Sequence, residues 1–546
     1  MGEHYLSQVI HMSEKGKKKD KALLDVVMDL LIRRGFIAQD AEIYNNGLAG
    51  FFDFLPNGMQ LKRNIEKAWR EFFVWSSTDP LIYEIEGSVV LPEEVLIASG
   101  HVTSFSDPLV SCSKCKAELR ADHLLESQAG MKTEGMTVPQ IQDAIKKKGI
   151  ACPECGGNLA PVEEFNLMLK TDVGPSGNAK RAYLRPETAQ SIFCDFKRVY
   201  QTMRAQLPFG ICQVGSSYRN EISPRQGLIR MRGFTQMEIE FFFDPEEPVH
   251  PDYEATKDIK IRLITRDVQR DEKTADNTME ITIDAAMEKG IFPNNIQAYF
   301  VGKVFQFYQS IGIPYEALRF RHLLETETPF YSKGNFDLEI KLDMGWKEAV
   351  GIAYRTNHDL TTHGKNSGNK LEVDVQKPGQ KEVRKVVPHV VEPSFGVERA
   401  LYCVLEHAYR PGIEKGAEKK DESDREWDWF QLQPHIAPFS AIVYPLMKKP
   451  ELTGKALELF SAIKKAGIPV FYDHAGQIGR RYARADEIGT PFCFTIDYQT
   501  IEDGTVTIRE RDSMKQIRVP IAETVQILQS LVRREKKFLD LGKPIK

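Results

Sequence analysis

The chain has 546 residues, too many for one core, and a prior of roughly 100 to 200 residues per domain predicts three or four units. Charged residues make up 27% and the hydrophobic set 42%, a globular balance, and a formal charge of −4 argues against a non-specific coating of DNA, so any nucleic acid must meet local basic patches. The start of the chain holds no apolar signal-type core and no run of about 18 apolar residues occurs, so the expectation is a cytoplasmic protein without a membrane segment. Its 8 cysteines then read as thiols or metal ligands rather than disulfides.

In chain order, Leu23, Val26, Val27, Leu30 and Leu31 share one face and predict a helix over 21–35, with Gly35 as its stop. A loop rich in Gly and Asn is expected over 44–58. A second helix follows over 59–75, where Leu61, Ile65, Ala68, Trp69, Phe72 and Phe73 keep helical spacing. Periodicity leaves open whether these helices cover a sheet or meet another subunit.

Residues 112–164 read as an insertion. They open with Cys112-Ser-Lys-Cys115 and close with Cys152-Pro-Glu-Cys155-Gly-Gly. Two such pairs supply four thiolates for a tetrahedral structural zinc, with no open position for catalysis. The gap of 36 residues exceeds the usual span of about 15 to 20, so a folded, helix-like spacer must close it. Four unconnected thiols are the alternative. Cys194, Cys212, Cys403 and Cys493 lie in apolar runs and are expected to be buried and inert.

Residues 216–241, SSYRNEISPRQGLIRMRGFTQMEIEF, read as a strand, a long turn around Pro224 and Gly227, and a returning strand. This hairpin carries Arg219, Glu221, Arg225, Arg230 and Arg232, then Phe234 and the acids Glu238 and Glu240. Guanidinium forks suit phosphate oxygens, and a ring beside them can stack on a base. A hairpin decorated with weak surface ion pairs is the bland alternative. Beyond it, 246–340 reads as a partly helical excursion from the main sheet.

Residues 387–405, VPHVVEPSFGVERALYCVL, read as a strand ending near Glu392 that runs through Pro393 and Gly396 into a helix. Val397, Ala400, Leu401, Val404 and Leu405 form its apolar face. Arg399 falls in the first turn, where a cation opposes the helix dipole unless a polyanion arrives there. Pairing with Glu398 or Glu392 is the alternative. Residues 411–430 read as a charged linker or exposed loop. The remainder is a compact α/β unit, with strands over 440–446, 468–472 and 492–497, a hairpin, and helices over 453–466, 478–488 and 521–538.

Together, the arginine hairpin and the strand–Gly–helix–Arg unit resemble motifs 2 and 3 of class II aminoacyl-tRNA synthetases. Their order, their separation of roughly 160 residues, and the R-x-E then R-x-x-x-F spacing all match. Residues 47–74 resemble motif 1, although Leu55-Pro56-Asn57-Gly58 departs from Gly-Pro-Leu-Gly. Gly233 also stands where the family often has Glu. The stretches GFIAQDAEIY (35–44), SGHVTSFSDPLV (99–110), RADHLLE (120–126), FNLMLKTDVGP (165–175), YLRPETAQSIF (183–193) and VVEPSFG (390–396) narrow the resemblance to the homodimeric glycyl-tRNA synthetases.

That resemblance implies an α/β protein with an α+β catalytic core: an antiparallel sheet flanked by helices, a zinc-ribbon-like insertion and a C-terminal anticodon-binding domain. The implied division is 1–111, 112–164, 165–430 and 431–546. The implied reaction is ATP-dependent attachment of glycine to tRNA(Gly) through a glycyl-adenylate, with Mg2+, a structural Zn2+, and a homodimer. Arg219 would contact the α-phosphate, Arg230 and Arg399 the β- and γ-phosphates, Phe234 the adenine ring and Glu221 its amino group. Arg219, Glu221 and Arg399 are thus the implied catalytic residues, with Asn220, Met231, Glu348 and Ala349 completing the ATP site. Glu348 and Glu392 are the implied magnesium ligands. Glu187, Glu238 and Glu392, with Pro393 and Ser394, would enclose glycine, and Arg120 would meet its carboxylate or a loop. Anticodon contacts would come from groups such as Tyr472, Arg480, Arg481, Tyr482 and Arg484. Other readings stay open: a prolyl or histidyl enzyme of the same subgroup, a non-catalytic synthetase-like subunit, and a zinc-ribbon RNA-binding protein.

Overall fold

The structure, a computed structural model, describes residues 22–545 except 46, 78–80, 132, 134, 225, 272–275, 329–331, 377–381, 414–417 and 419–423. Arg225 of the hairpin and part of the expected linker therefore lie outside the described residues.

Helix α1 (Leu23–Arg33) buries Val27, Leu30 and Leu31. A short strand, Phe52–Phe54, then pairs antiparallel with Ile37–Gln39 inside what the sequence suggested was loop. Helix α2 (Pro56–Trp69) begins three residues earlier than expected, because proline suits the first helical position. Gly58 is dictated by crowding: a Cβ there would stand 2.0 Å from the Phe36 carbonyl oxygen. The expected helix closes as a wider π-type turn, Arg70–Trp75.

The centre is a nine-stranded sheet. Its strands are β1 (Ile82–Ile85), β2 (Phe209–Tyr218), β3 (Gly233–Phe243), β4 (Lys260–Ile264), β5 (Met279–Thr282), β6 (Leu318–His322), β7 (Asn335–Leu342), β8 (Gly345–Thr356) and β9 (His389–Gly396). Their spatial order is β5-β4-β6-β7-β8-β9-β3-β2-β1, antiparallel except at β2–β1 and β4–β6. Residues 246–340, expected as an excursion, carry a long helix and also extend this sheet by β4, β5, β6 and part of β7.

Strand alternation assigns the two faces. On β3, Met237, Ile239, Phe241 and Phe243 enter the larger core, whereas Gln236, Glu238 and Glu240 point to the opposite face. Val350 and Ile352 of β8 and Val391 and Phe395 of β9 join the same larger core. The site residues Arg355, Glu392 and Ser394 therefore stand with the acids of β3. Pro393 lies inside β9, a central strand, where a residue without N–H breaks a ladder. The β3–β9 pairing skips Pro393 and Glu392, while β8 still faces them. The strand thus runs on to Gly396 rather than ending near Glu392.

Among the short helices, α3 (His101–Ser104) precedes the insertion. The insertion has its own small core, in which α4 (Ala121–Ala129) packs on α5 (Val138–Lys148) through Leu124, Leu125, Ile141 and Ile145. Helix α6 (Ala189–Met203) and α8 (His358–Ser367) cover one face of the main sheet. Helix α7 (Asn295–Ser310) and α9 (Val397–Ala408) join α2 on the other.

A second, six-stranded sheet forms the C-terminal unit, in the order β11-β10-β12-β13-β14-β15. Its strands are β10 (Ala441–Pro445), β11 (Val470–Tyr472), β12 (Phe492–Ile496), β13 (Thr505–Glu510), β14 (Gln516–Pro520) and β15 (Lys543–Ile545). Its longer helices are α10 (Pro450–Lys465), α11 (Ile478–Glu487) and α12 (Thr524–Val532), the last shorter than the expected 521–538. The linker is only partly exposed. Its end buries Arg425, Trp429 and Phe430, with Arg425 Nη1 2.7 Å from Asp486 Oδ2 and its guanidinium 3.9 Å from the Trp429 ring. Asn64 of α2 donates to the Ala437 carbonyl at 2.7 Å, tying α2 to this unit. Among the described residues, no helix is long and apolar enough to cross a membrane.

Candidate active site

A cleft of about 440 Å³ opens on the polar face of the main sheet. One wall comes from the hairpin, through Arg219, Glu221, Arg230 and Phe234, and another from the start of α9, through Arg399. The two distant arginine segments therefore meet, as the sequence implied. Arg219 Nε donates to the Pro186 carbonyl at 3.1 Å. Its guanidinium is held between two rings, 5.3 Å from Phe105 and 5.4 Å from Phe234. Arg230 Nε donates to Glu221 Oε2 at 2.7 Å. Arg399 Nη1 donates to the Glu348 carbonyl at 2.8 Å and lies 3.6 Å from the Glu348 carboxylate. Arg399 thus pairs with neither Glu398 nor Glu392. Glu398 is buried and accepts from Lys62 Nζ and from the Thr235 backbone N–H, each at 2.7 Å, locking α2 to β3 and α9. Ala349 and Met231 line the cleft, and the Asn220 N–H donates to the Leu167 carbonyl at 2.6 Å.

Glu392 lines the acidic back of the cleft, with Glu238 and Glu240 buried behind it. Glu238, Glu240 and Glu392 bring carboxylate oxygens within 4.8 Å of one another. Glu238 faces Ser394 across the β3–β9 ladder, and the small Gly351 and Ala353 of β8 stand opposite Ser394 and Glu392, leaving a hole above them. Thr188 Oγ1 donates to Glu238. Arg355 Nη1 reaches Glu392 Oε2 at 2.5 Å, while its Nε and Nη2 take Asp359 at 2.8 and 2.9 Å. Burial pushes the Glu392 and Glu240 carboxyls well above the usual carboxylate range, and Arg355 opposes this in both. Glu238 is raised by burial and by the charge of Glu187. Glu187 goes the other way: burial resists, but His101, Arg355 and Gln190 hold its carboxyl well below the usual range. Neighbouring carboxylates whose environments pull their protonation apart are a hallmark of functional sites.

Some expectations are displaced. Arg120 pairs with Asp107 at 2.6 Å and with Asp122, and lines an adjoining cleft with Arg219, Arg230 and Glu348 rather than the acid-floored hole. Glu392 is engaged by Arg355, whereas Glu348, with a side chain 53% exposed, stands at the mouth beside Arg399. Cys194 is exposed, not buried, while Cys212, Cys403 and Cys493 are buried. Arg481 is buried and donates to the Pro445 carbonyl at 2.6 Å, so it holds the fold together, whereas Arg480 is exposed. Two site residues, Arg355 and Asp359, escaped the sequence reading, and Glu240 was read there only as an acid of the hairpin. Glu240 repeats Glu238 two positions on, which is the strand signal for one face. Arg355 closes the GWKEAVGIAYR run, and Asp359 follows it by four residues, but nothing in the sequence pairs them with Glu392.

In the insertion, the sulfurs of Cys112, Cys115, Cys152 and Cys155 gather within 4.8 Å of one another. Cys112 Sγ lies 3.5 Å from Cys155 Sγ, and Cys115 Sγ 3.6 Å from Cys152 Sγ. A Cβ at Gly157 would come within 3.2 Å of both Cys112 and Cys155 sulfurs, so the glycine makes room for the cluster. The Cys115 N–H helps hold the Cys112 thiol down to about 6. This donor set fits a structural zinc ion.

The fold, the arginine walls and the acid floor define a class II tRNA synthetase core. Residues 173–408 match the tRNA synthetase class II core domain (G, H, P, S and T), and 440–531 match an anticodon binding domain. A solved prolyl-tRNA synthetase from Giardia lamblia, in complex with prolyl-adenylate, has a similar fold. Its TM-score is 0.57 at 13% identity, over 94% of this chain and 79% of that one. Much closer in sequence is the glycine–tRNA ligase of Methanocaldococcus jannaschii, 39% identical over 94% of this chain and 100% of its own length. That of Archaeoglobus fulgidus is 40% identical over 94% and 98%. The chain belongs to the glycine–tRNA ligase family.

Proposed function

We propose that this chain activates glycine with ATP and transfers it to tRNA(Gly). The observation that carries this reading is the acid-floored hole beside Glu392 and Ser394, opening directly onto Arg219, Arg230 and Arg399. In the first step a glycine carboxylate oxygen attacks the α-phosphorus, the new O–P bond forms, and pyrophosphate leaves to give glycyl-adenylate. In the second, a terminal ribose hydroxyl of tRNA attacks the glycyl carbonyl and AMP leaves. Both steps need aligned reactants and neutralised phosphate charge rather than a protein nucleophile.

Arg219 offers its free guanidinium nitrogens to the α-phosphate while its Nε stays on the Pro186 carbonyl. Arg230 and Arg399 take the outer phosphates, Phe234 stacks on adenine and Glu221 accepts from its amino group. Magnesium would neutralise phosphate charge, and Glu348 is the carboxylate that would hold it. Glu187, Glu238 and Glu392 answer the glycine ammonium. Ser394 closes the space a side chain would need, while Pro393, also expected there, turns to the other face of β9 with Val391 and Phe395, so larger amino acids are rejected by size, which requires no editing site. Zinc on Cys112, Cys115, Cys152 and Cys155 would staple the insertion. Residues 440–531 would bind the anticodon. A second copy of the chain would cover the exposed Ile43, Tyr44 and Leu48 beside α2.

A non-hydrolysable glycyl-sulfamoyl-adenosine tests the adenylate reading by titration calorimetry. Tight binding is expected, lost in Arg219→Ala and absent with the leucyl analogue. Equal affinity for both analogues would sink it.

A further inference from the structure

Residues 99–105, SGHVTSF, supply Phe105 beside Arg219 and His101 beside Glu187, and so lie between the two halves of the site. Gly100, with φ of 82°, turns the chain into the short helix α3, which presents His101. His101 Nε2 stands 3.4 Å from Glu187 Oε2. Ser99 Oγ is 2.8 Å from the other ring nitrogen and fixes the ring plane. The same ring packs edge-on against Phe105, with centroids 5.2 Å apart. Phe105 is one of the two rings that hold Arg219. On the far side of Glu187, Gln190 Nε2 donates to Oε1 at 2.8 Å. Gln190 Oε1 is in turn 2.7 Å from His363 Nε2, which fixes the orientation of the amide. Glu187 is thus gripped at both oxygens, by Gln190 from the core and by His101 from the segment that leads into the insertion.

We propose that His101 is a positioning residue joining the amino-acid and phosphate subsites: its Nε2 aims Glu187 at the glycine ammonium, and its ring seats Phe105, and through it Arg219, against the α-phosphate. The proposal rests on the site reading above. It makes the two contacts of one side chain separable. A substitution that keeps the ring but removes the nitrogen disturbs glycine, and one that keeps a donor but removes the ring disturbs ATP. His101→Phe is the first kind. His101→Gln, whose amide nitrogen can occupy the place of Nε2, is the second.

The test is glycine-dependent pyrophosphate exchange, with KM measured separately for glycine and ATP. Loss of the Nε2 contact with the Glu187 carboxylate predicts a glycine KM about tenfold higher in His101→Phe, with the ATP KM within about twofold of the parent. His101→Gln and Phe105→Ala are expected to raise the ATP KM and leave that for glycine within about twofold. His101→Ala raises both. Glu187→Ala and Arg219→Ala serve as references. If Glu187→Ala leaves the glycine KM unchanged, the site reading itself fails. If Glu187→Ala raises it but His101→Phe does not, the positioning role fails alone. Parallel changes in both constants for His101→Phe and His101→Gln, or a lower melting temperature with both constants intact, would reduce His101 to a packing residue and overturn the proposal.

Discussion

Replacing Arg355 by methionine probes the electrostatics of the acid floor. Arg355 is buried and answers two buried carboxylates, Asp359 through a two-pronged contact and Glu392 through Nη1. Removing one partner of a buried ion pair costs about 3–5 kcal/mol, because the other charge stays behind without compensation. Burial raises the Glu392 carboxyl and Arg355 opposes it, so in the variant that carboxyl rises further, which relieves part of that cost. The net loss should fall at the lower end, about 3 kcal/mol. Calorimetry should show the catalytic-core transition lowered by roughly 5–10 °C. Glu392 also loses the contact that fixes its carboxylate in place, so the glycine KM should rise about tenfold while that for ATP holds. Arg355→Lys keeps the charge but cannot span both acids, and should fall between. An Arg355→Met protein with the parent's melting profile and glycine KM would refute the idea that this guanidinium balances the floor.

Other perturbations follow from the same geometry. Glu398→Gln removes the charge that binds Lys62 and weakens the link to the Thr235 N–H; it should lower stability by about 2 kcal/mol and raise the ATP KM severalfold, since Arg399 is the next residue. An unchanged melting curve would exclude this role. Glu240 has no hydrogen-bond partner for either oxygen among the described residues, and burial raises its carboxyl well above 4.5. A raised carboxyl favours the fold below its unfolded value and costs stability as pH climbs towards its folded one. Glu240→Gln should therefore melt higher than the parent at pH 8, with the gap closing as pH falls towards 5. A gap that widens in acid would contradict the assignment. Chelation should release about one zinc per chain by elemental analysis and expose 112–164 to proteolysis while the main sheet stays protected. A protein isolated without stoichiometric metal, or an insertion equally resistant after chelation, would count against a zinc staple. Asp486→Asn strips the shared acid from Arg425 and Arg509, which lie 2.7 and 2.9 Å away, and should loosen the C-terminal unit from the core without changing pyrophosphate exchange. Loss of exchange would show that the two units are coupled.

What the sequence exposed was whatever has a short period or a sharp chemical signature. The arginine hairpin, the helix bearing Arg399 and the two Cys pairs could be read directly, because strand alternation, helical spacing and thiol spacing are local. Glu238 and Glu240 could be read as acids of the hairpin, and Glu392 and Ser394 through the VVEPSFG resemblance. The partnership of Arg355 with Asp359 and Glu392 could not, because it depends on β8 lying beside β9 in one register. Pro393 suggested a strand end, and only the skipped rungs between β3 and β9 show how a central strand tolerates it. Residues 411–430 looked exposed by charge, yet Arg425 is buried, because Asp486 and the face of Trp429 receive its guanidinium. Cys194 sat in an apolar run, but its position on α6 turns outward. His101 touches Ser99 and Phe105 within SGHVTSF, but its contact with Glu187 joins residues far apart in sequence, so nothing local announced it.

The central claim is that this pocket admits the smallest amino acid and couples it to ATP through arginines gathered from two distant segments. Pyrophosphate exchange by the purified protein, run with glycine, alanine, serine and proline in parallel, tests that most directly. The account predicts exchange with glycine alone, abolished in Arg219→Ala and Arg399→Ala proteins that melt like the parent. Exchange with proline or alanine as fast as with glycine, or undiminished exchange in either arginine variant, would contradict it.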